Sequence, residues 1–540
     1  TAQSYLVWRD GEILNIVPSN WQFIRDFVSD NLVRCYSVSR IFDGVIGQAS
    51  TPVCGKANPP FRFNPKDVLY PIHRTFPIAG QLDKTTPEYE VVFSSLFNEL
   101  WAIRPNGEVL WVYRVDNYPN RTEISAPPAI GDINGDGEME VVFGVSGSNP
   151  GIIALSSDGS LLWRYNLTNP PTGPVVLGLF TGGGIPKIAF RSGPNVYFLD
   201  GNGNLINVCG SYQWRDDFMA SYDFDGDRIW ELIFVSYDTV HVINYNCSEK
   251  PGFPIKLNRV LYKGIRLDDI NGDAIPEIIV DGGSVAIILD RFGNRLDTVT
   301  FSNISNVDVP ITIDWNGDGI LDLALLGSTF FEVRDLNENV LYISSSEPPS
   351  GSRFMLSGDL DGDGKDEAIF SDARSRIHGL GMNGEIMGFP INLGHGDRYR
   401  EEVVHGGFLI YDVDGDGNME MLAGTGGNKF YGWNLGNTGR IRWGMVRGNR
   451  WNSGYPALEM PDTNVSTSIS YREKDRTEIV LHREGKISFF FTNAVKLEIY
   501  DVAGKRVFLR EVKGEGEIKL PLGRGVYFLK AGRKIYKIII

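Results

Sequence analysis

The sequence predicts an all-β protein: an eight-bladed or alternatively seven-bladed β-propeller, followed by a small C-terminal β-sandwich. Three observations predict this fold. A nine-residue motif is written six times, a β-hairpin pattern follows the motif, and glycine is abundant, with 62 residues in a chain of 540. Because no low-complexity tract holds these glycines, we interpret them as turns between many short strands.

Residues 1–69 carry the least regular pattern, and we predict that they cap the propeller or form an arm that adds a strand to a neighbour.

The chain contains four cysteines. They could pair as Cys35 with Cys54 and Cys209 with Cys247, or remain as free thiols. The chain starts at Thr1 without a signal-like stretch, and no apolar run reaches the roughly 20 residues that cross a bilayer. We therefore expect a secreted or cell-surface protein without a transmembrane segment, its signal peptide already removed.

The propeller is predicted over residues 70–455 from the repeated motif. The six copies are DINGDGEME from Asp132, DFDGDRIWE from Asp223, DINGDAIPE from Asp269, DWNGDGILD from Asp314, DLDGDGKDE from Asp359 and DVDGDGNME from Asp412. Their starts lie 91, 46, 45, 45 and 53 residues apart, so the first gap spans two periods. Degenerate copies from Gly178 and Gly80 bring the count to eight, or to seven if the Gly80 copy only completes the last blade.

A hairpin pattern follows the repeats at a fixed distance. It has two β-rich arms around a Gly or Asn turn, as in the segments from Glu99, Gly151, Asn195 and Ser284. A unit of about 45 residues with three or four short strands cannot bury both faces alone, and radial stacking into a propeller solves this problem. A solenoid is the structural alternative. Spare strand-like segments from Tyr70 and Arg440 favour a closed ring.

Each complete motif places acidic or amide oxygens at positions 1, 3, 5 and 9, with glycine at position 4. Such a loop turns alternate side chains inward, and hard oxygen ligands in flexible geometry favour Ca²⁺. A metal-free Asp/Gly turn is the alternative for a single copy, but six copies with closely packed carboxylates favour a cation. We predict about six calcium ions, held by Asp132, Asn134, Asp136, Glu140, Asp223, Asp225, Asp227, Glu231, Asp269, Asn271, Asp273, Glu277, Asp314, Asn316, Asp318, Asp322, Asp359, Asp361, Asp363, Glu367, Asp412, Asp414, Asp416 and Glu420.

Departures from the motif predict weaker or absent sites. The Gly178 copy has Thr181, Gly183 and Lys187 where oxygens should stand, so we predict no metal in that blade. Arg228 and Ala274 replace the glycine at position 6 in two other copies, and these loops are expected to be more strained and to bind more weakly.

The acidic loops, together with Phe143 and Gly144, resemble the FG-GAP or VCBS repeats of integrin α-subunit propellers and of many bacterial surface proteins. The resemblance covers residues of about 70 to 455. It implies calcium loops at the blade edges and a binding scaffold whose faces meet ligands or partner proteins.

After a polar stretch at 456–476, predicted as a linker, residues 477–540 read as the small β-sandwich. The segments from Lys496 to Val507 and from Leu520 to Lys530 resemble the C-terminal sorting domain of type IX secretion substrates. From Ser466 onward, 16 Lys/Arg stand against 9 Asp/Glu, so a basic tail follows an acidic body. This asymmetry suggests head-to-tail self-association into filaments, although separate solubility of the two parts explains it equally.

The sequence offers no local catalytic signature around its six histidines. The insertion that lengthens one repeat carries a speculative contact loop with His395, Asp397, Arg398, Tyr399, Arg400 and His405. A solvated charged loop is the alternative. The net charge of −15 disfavours nucleic acid as a partner.

We therefore predict a non-catalytic structural or adhesion protein of the cell surface, with self-association or other surface proteins and glycans as partners. The alternatives are a calcium-dependent polysaccharide lyase or another secreted glycan-processing enzyme, and a monomeric carbohydrate- or protein-binding adhesin.

Overall fold

The structure is a computed structural model, and it describes most of the chain. The described residues are 4–18, 33–42, 45–56, 61–67, 76–95, 98–115, 123–124, 127–213, 219–259, 261, 264–273, 275–281, 284–302, 310–327, 330–344, 355–372, 374–393, 404, 407–426, 429–436, 438–445, 447–453, 477–482, 486–501, 506–519, 526–531 and 534–539. The chain forms two compact units, Thr1–Met460 and Pro461–Ile540.

The prediction of an all-β fold is confirmed, since every regular element of the described residues is a β-strand. Among these residues there is also no helix of the length and apolarity that a membrane crossing requires.

An N-terminal sheet precedes the repeats. It contains β1 (Ser4–Arg9), β2 (Glu12–Pro18), β3 (Val33–Phe42), β4 (Val45–Ile46) and β5 (Val53–Lys56). The strands pair in the order β2-β1-β3-β4, and β5 also pairs with β3. The next strand, β6 (Phe61–Asp67), leaves this sheet for the last sheet of the repeat region.

Eight antiparallel sheets follow, here numbered I to VIII. Sheet I contains β7 (Ile78–Gly80), β8 (Glu90–Ser94), β9 (Glu99–Ile103) and β10 (Val109–Arg114). Sheet II contains β11 (Ala129–Gly131), β12 (Glu140–Val145), β13 (Gly151–Leu155) and β14 (Leu161–Asn166). Sheet III contains β15 (Pro171–Gly178), β16 (Lys187–Ser192), β17 (Asn195–Leu199) and β18 (Leu205–Cys209). Sheet IV contains β19 (Ala220–Tyr222), β20 (Glu231–Ser236), β21 (Thr239–Ile243) and β22 (Ile255–Lys256).

The second half repeats this plan. Sheet V contains β23 (Ile265–Asp268), β24 (Glu277–Asp281), β25 (Val285–Leu289) and β26 (Arg295–Thr300). Sheet VI contains β27 (Ile311–Ile313), β28 (Asp322–Leu326), β29 (Phe331–Arg334) and β30 (Val340–Ile343). Sheet VII contains β31 (Leu356–Gly358), β32 (Glu367–Ser371), β33 (Arg376–Gly381), β34 (Gly384–Glu385), β35 (Ile391–Asn392) and, beside β31, β39 (Ile441–Trp443). Sheet VIII contains β36 (Phe408–Tyr411), β37 (Met419–Gly424), β38 (Lys429–Gly436) and β6.

In every one of these sheets the second strand is buried at all of its residues or at all but one. All six residues of β12 and of β20 are buried, whereas β14, the fourth strand of sheet II, has no buried residue. This gradient is that of a sheet packed on both faces at its centre and open to water at its outer edge. Repeated four-stranded antiparallel sheets with this gradient are consistent with a β-propeller.

Residues 439–445 and 447–453, here called the inner segment, contact the first strands of seven sheets, II to VIII. Trp443 pairs with β31, and the Ile410 backbone N–H donates to the Gly444 carbonyl at 2.8 Å. Further backbone N–H groups donate to this segment from β11, β15 and β19, namely those of Ile130, Leu177 and Ser221.

Side chains of the inner segment make further contacts. The Arg447 guanidinium donates to carbonyls of Met219 and of Ile265 in β23, and the Trp443 indole donates to the Thr312 hydroxyl in β27. The inner segment therefore lies among the first strands of these sheets.

The second unit contains β40 (Thr477–His482), β41 (Lys486–Asp501), β42 (Arg506–Lys519), β43 (Val526–Ala531) and β44 (Lys534–Ile539). They form one hydrogen-bonded sheet in the order β40-β41-β43-β44, with β42 also paired to β41. The β-sandwich predicted here stays a prediction.

Candidate metal centres

The six acidic motifs all lie between the first and second strands of their sheets. In sheet II, for example, Asp132 directly follows β11 and Glu140 is the first residue of β12. The antiparallel pairing of the two strands brings position 1 and position 9 to the same end of the sheet, because Gly131 pairs with Glu140. Backbone pairing therefore brings the ends of each acidic loop together.

The position-1 aspartate organises the loop backbone. In sheet II, Asp132 accepts hydrogen bonds from the Gly135 N–H at 2.6 Å and from the Gly137 N–H at 3.0 Å. The same pair of bonds, from positions 4 and 6, forms at Asp223, Asp314 and Asp359. The glycines at positions 4 and 6 have φ values of 81° and 89° in the Asp132 loop, a region that glycine adopts without a steric cost.

The position-9 carboxylate is buried in every loop. Glu140 is 1% exposed, and one of its oxygens accepts the Ile133 N–H at 2.9 Å. The same bond, from position 2 to position 9, recurs in the other five loops, at Glu231, Glu277, Asp322, Glu367 and Glu420. The second oxygen of this carboxylate contacts a polar side chain in four of the loops. It accepts the Asn134 amide at Glu140, the Asn271 amide at Glu277 and the Asn434 amide at Glu420, and at Glu231 it lies 3.0 Å from Nζ of Lys250.

Burial raises the pKa of these carboxyl groups. The pKa of Glu140 and that of Glu277 rise to about 7, chiefly because burial disfavours the charged form and also because two loop aspartates lie close by. Burial raises the pKa of Asp322 to about 7 and that of Glu367 to about 8. A cation among these groups would relieve both the desolvation and the repulsion between like charges.

Three loops bring three carboxylates together closely enough to hold a metal ion. The trios are Asp223, Asp225 and Glu231; Asp359, Asp361 and Glu367; and Asp412, Asp414 and Glu420. In each trio the ligand oxygens lie within 4.8 Å of one another. One oxygen in the third trio, Oδ1 of Asp412, is buried without a hydrogen-bond partner among the described residues. A buried acceptor of this kind, in an all-oxygen donor set, fits a hard cation.

The other three loops have asparagine at position 3 and therefore one carboxylate fewer. The Asn271 amide donates to Glu277 at 2.7 Å, and the Asn134 amide donates to Glu140 at 3.3 Å. In the third of these loops, the Asn316 amide donates to Asp318 at 3.0 Å. These loops keep oxygens at all four motif positions, but one of the four oxygens belongs to a neutral amide instead of a carboxylate.

The two degenerate copies differ from the acidic loops in the basic side chain that each contains. In sheet III, Lys187 is the first residue of β16 and donates to the Ile185 carbonyl at 3.2 Å, so an ammonium stands where the other loops have a carboxylate. In sheet I, Glu90 keeps the buried position-9 carboxylate and accepts the Leu82 N–H at 2.8 Å. Arg104 donates to Asp83 in that loop at 2.7 Å, so a guanidinium enters it.

Sequence reasoning missed one contact of the Asp223 loop. The Lys250 ammonium lies 2.5 Å from Asp225 and 3.0 Å from Glu231. Lys250 is 19 residues beyond the end of the motif and belongs to no recognisable pattern. Only the folded hairpin of sheet IV brings it to the loop.

Both predicted disulfides are confirmed. Cys35 pairs with Cys54 between β3 and β5, and Cys209 pairs with Cys247. The second bond joins the outer strand of sheet III to the hairpin of sheet IV. The speculative contact loop with His395, Asp397, Arg398, Tyr399, Arg400 and His405 lies outside the described residues, as does Ala274.

No family model matches the chain. Two curated relatives, λ-carrageenases of Pseudoalteromonas sp. and Pseudoalteromonas carrageenovora, are each 26% identical to it over 150 residues. The match covers 27% of this chain and 14% of each carrageenase. Among solved structures, the V. cholerae biofilm matrix protein Bap1 is similar with a TM-score of 0.52 and 12% identity, over 76% of this chain and 98% of that one. This likeness supports the fold.

The expectation of a protein without enzymatic activity is corrected by these matches, because the curated relatives are enzymes that bear the name λ-carrageenase. A search for local signatures alone cannot decide whether a chain is an enzyme. Catalytic groups are recognised by their geometry, and a fold of many short strands assembles them from distant parts of the chain. The FG-GAP or VCBS assignment and the sorting-domain assignment stay predictions.

Proposed function

We propose that this chain is the calcium-bound, eight-bladed β-propeller of a secreted polysaccharide-processing enzyme that acts on glycans of the carrageenan type. The observation that carries this proposal is the 150-residue match to two λ-carrageenases. Since the match spans 14% of those proteins, the activity and the substrate are both part of the proposal. Eight repeats in the sequence and sheets I to VIII support the blade number.

Calcium is the proposed ion because the donor set of the loops consists of carboxylate, amide and backbone oxygens. Zn²⁺ and Cu²⁺ prefer nitrogen or sulfur ligands, and Mg²⁺ demands a smaller octahedron with more bound water. The loops join the first strand to the second in their sheets, so a bound ion would fix the end of each blade. Two disulfides support a secreted protein, since such bonds persist in oxidising compartments.

The inner segment excludes the ring centre as the glycan site. Its side chains Trp443, Trp451 and Asn452 are buried to 2% exposure or less. The inner segment is hydrogen-bonded to the first strands of neighbouring sheets, and with these side chains buried between the strands a polymer cannot pass there. A glycan chain would therefore be bound on a face of the propeller.

The test is an activity assay of the full chain on λ-carrageenan, with a panel of other anionic and neutral polysaccharides beside it. Reducing ends and unsaturated ends are both measured, because their ratio separates hydrolysis from elimination. Calcium-loaded protein should release oligosaccharides from at least one glycan, and chelator-treated protein should release fewer. Folded, calcium-loaded protein that leaves the whole panel intact would refute the proposal.

A further inference from the structure

Lys250 enters the acidic loop of sheet IV from the neighbouring hairpin. Its Nζ lies 2.5 Å from Oδ2 of Asp225 and 3.0 Å from Oε1 of Glu231. The lysine side chain is only 14% exposed, and the Glu231 side chain is fully buried. Asp225 and Glu231 are positions 3 and 9 of the motif, so the ammonium contacts two of the three carboxylates that would hold a metal ion there.

The backbone around Lys250 fixes it in this place. Its N–H donates to the Val242 carbonyl at 2.8 Å, and its carbonyl accepts the Phe253 N–H at 3.0 Å. Three residues earlier, Cys247 is held by the disulfide to Cys209. Because the hairpin is anchored on both sides, the backbone at Lys250 is already ordered, and only the lysine side chain loses further conformational freedom when it enters the loop.

The same loop lacks the glycine that four of the other loops have at position 6. Arg228 occupies this position with a φ of 70°, a left-handed conformation that is costly for a residue with a Cβ atom. Gly137, Gly319, Gly364 and Gly417 have φ values between 82° and 89° at the same place. The Asp223 loop therefore keeps its backbone shape at a cost that these four loops avoid.

The loop of sheet VII gives the contrast. Lys365 contacts only Asp363, at position 5, with 3.2 Å between Nζ and Oδ2, and both side chains are partly exposed. Among the described residues, no lysine or arginine nitrogen forms an ion pair with Asp361 or Glu367, the counterparts of Asp225 and Glu231. The inner carboxylates of this loop remain open to an external cation.

We infer that Lys250 is the resident cation of the Asp223 loop, and that this loop holds its shape without calcium. An ammonium and a divalent cation cannot share the same two carboxylates, because their charges repel at such short distance. The loop of sheet III is not counted, because it has Lys187 at position 9 and no acidic residue. The propeller then has five calcium loops, at Asp132, Asp269, Asp314, Asp359 and Asp412, a count that depends on the proposed calcium function.

The test counts bound calcium per chain by equilibrium dialysis in matched variants. Asp225→Ala should leave the count unchanged, whereas Asp361→Ala, which removes the ligand oxygen at the equivalent position of sheet VII, should lose one ion. Lys250→Met should gain one ion, and Lys365→Met should gain none. A loss of one ion in Asp225→Ala, or an unchanged count in Lys250→Met, would overturn the inference while leaving calcium binding by the propeller intact.

Thermal melting in excess chelator tests the ion pair independently of calcium. Lys250→Met should melt at a lower temperature than the unsubstituted chain, because Asp225 and Glu231 are then left without a counterion, and added calcium should restore the loss. Lys365→Met should melt like the unsubstituted chain under both conditions. If the two lysine variants melt alike in chelator, Lys250 is not a resident cation, even where the unsubstituted chain binds no calcium.

Discussion

At the scale of single residues, His378 of sheet VII is a titrating group with a defined effect on stability. Its Nε2 lies 3.3 Å from the buried carboxylate of Asp372, and its Nδ1 is hydrogen-bonded to Glu385. These two carboxylates outweigh the effect of burial and raise the pKa of His378 to about 9. Arg376 contacts the same Asp372 carboxylate, so this aspartate stays ionised.

The raised pKa predicts how stability depends on pH. The protonated histidine stabilises the fold fully below its unfolded pKa of about 6.5, and this contribution is lost as the pH rises to about 9. We expect the free energy of unfolding to fall by about 2 kcal/mol over that range, a value reduced for partial solvent exposure. Urea unfolding at a series of pH values measures it. His378→Gln should remove this part of the slope, and equal slopes in both proteins would contradict the assignment.

At the scale of elements, the sequence predicts the repeated hairpins better than it predicts the inner segment and the strand β6. The hairpins expected from Glu99, Gly151, Asn195 and Ser284 correspond to strand pairs in sheets I, II, III and V. These hairpins depend on residues close together in the chain. The inner segment depends on contacts such as that between Trp443 and Thr312, which are 131 residues apart, and no local pattern encodes such a contact. The strand that completes sheet VIII likewise comes from 61–67, within the segment expected to act as a cap or arm.

The inner segment itself carries a prediction through Asn452. Its fully buried amide donates to the carbonyls of Pro127, Pro128 and Val175, at 3.3, 3.0 and 2.9 Å, and so joins sheets II and III. Asn452→Ala leaves these acceptors without this donor in a buried place, and we expect it to lower the free energy of unfolding by about 3 kcal/mol. Calorimetric melting measures the loss. The exposed Asn106→Ala is the control, with an expected change of about 0.5 kcal/mol or less, and similar losses in both variants would refute a bracing role for Asn452.

At the scale of the whole molecule, charge links the loops to the stability of the propeller. The chain has a formal net charge of −15 at pH 7, and many of its carboxylates are gathered in the acidic loops. Residues Glu140, Glu277 and Glu367 lie in different sheets but share one burial pattern, with 3% exposure or less. If each of these loops holds an ion as proposed, loss of the ions would leave buried carboxylates without a counterion in several sheets at once.

Removal of the ions should consequently destabilise the entire propeller. A ligand that binds only the folded state stabilises it by about 2.7 kcal/mol per site when its concentration is 100 times Kd. With five filled loops, chelation should lower the melting temperature by many degrees, and added Ca²⁺ should restore it. Mg²⁺ should restore less, because it keeps its water and demands a smaller octahedron. Calorimetric scans with Ca²⁺, with Mg²⁺ and with chelator test this prediction. If the melting temperature is the same with calcium and with chelator, the prediction is wrong. The carboxylates of these loops are then held without metal, by protonation and by their backbone hydrogen bonds.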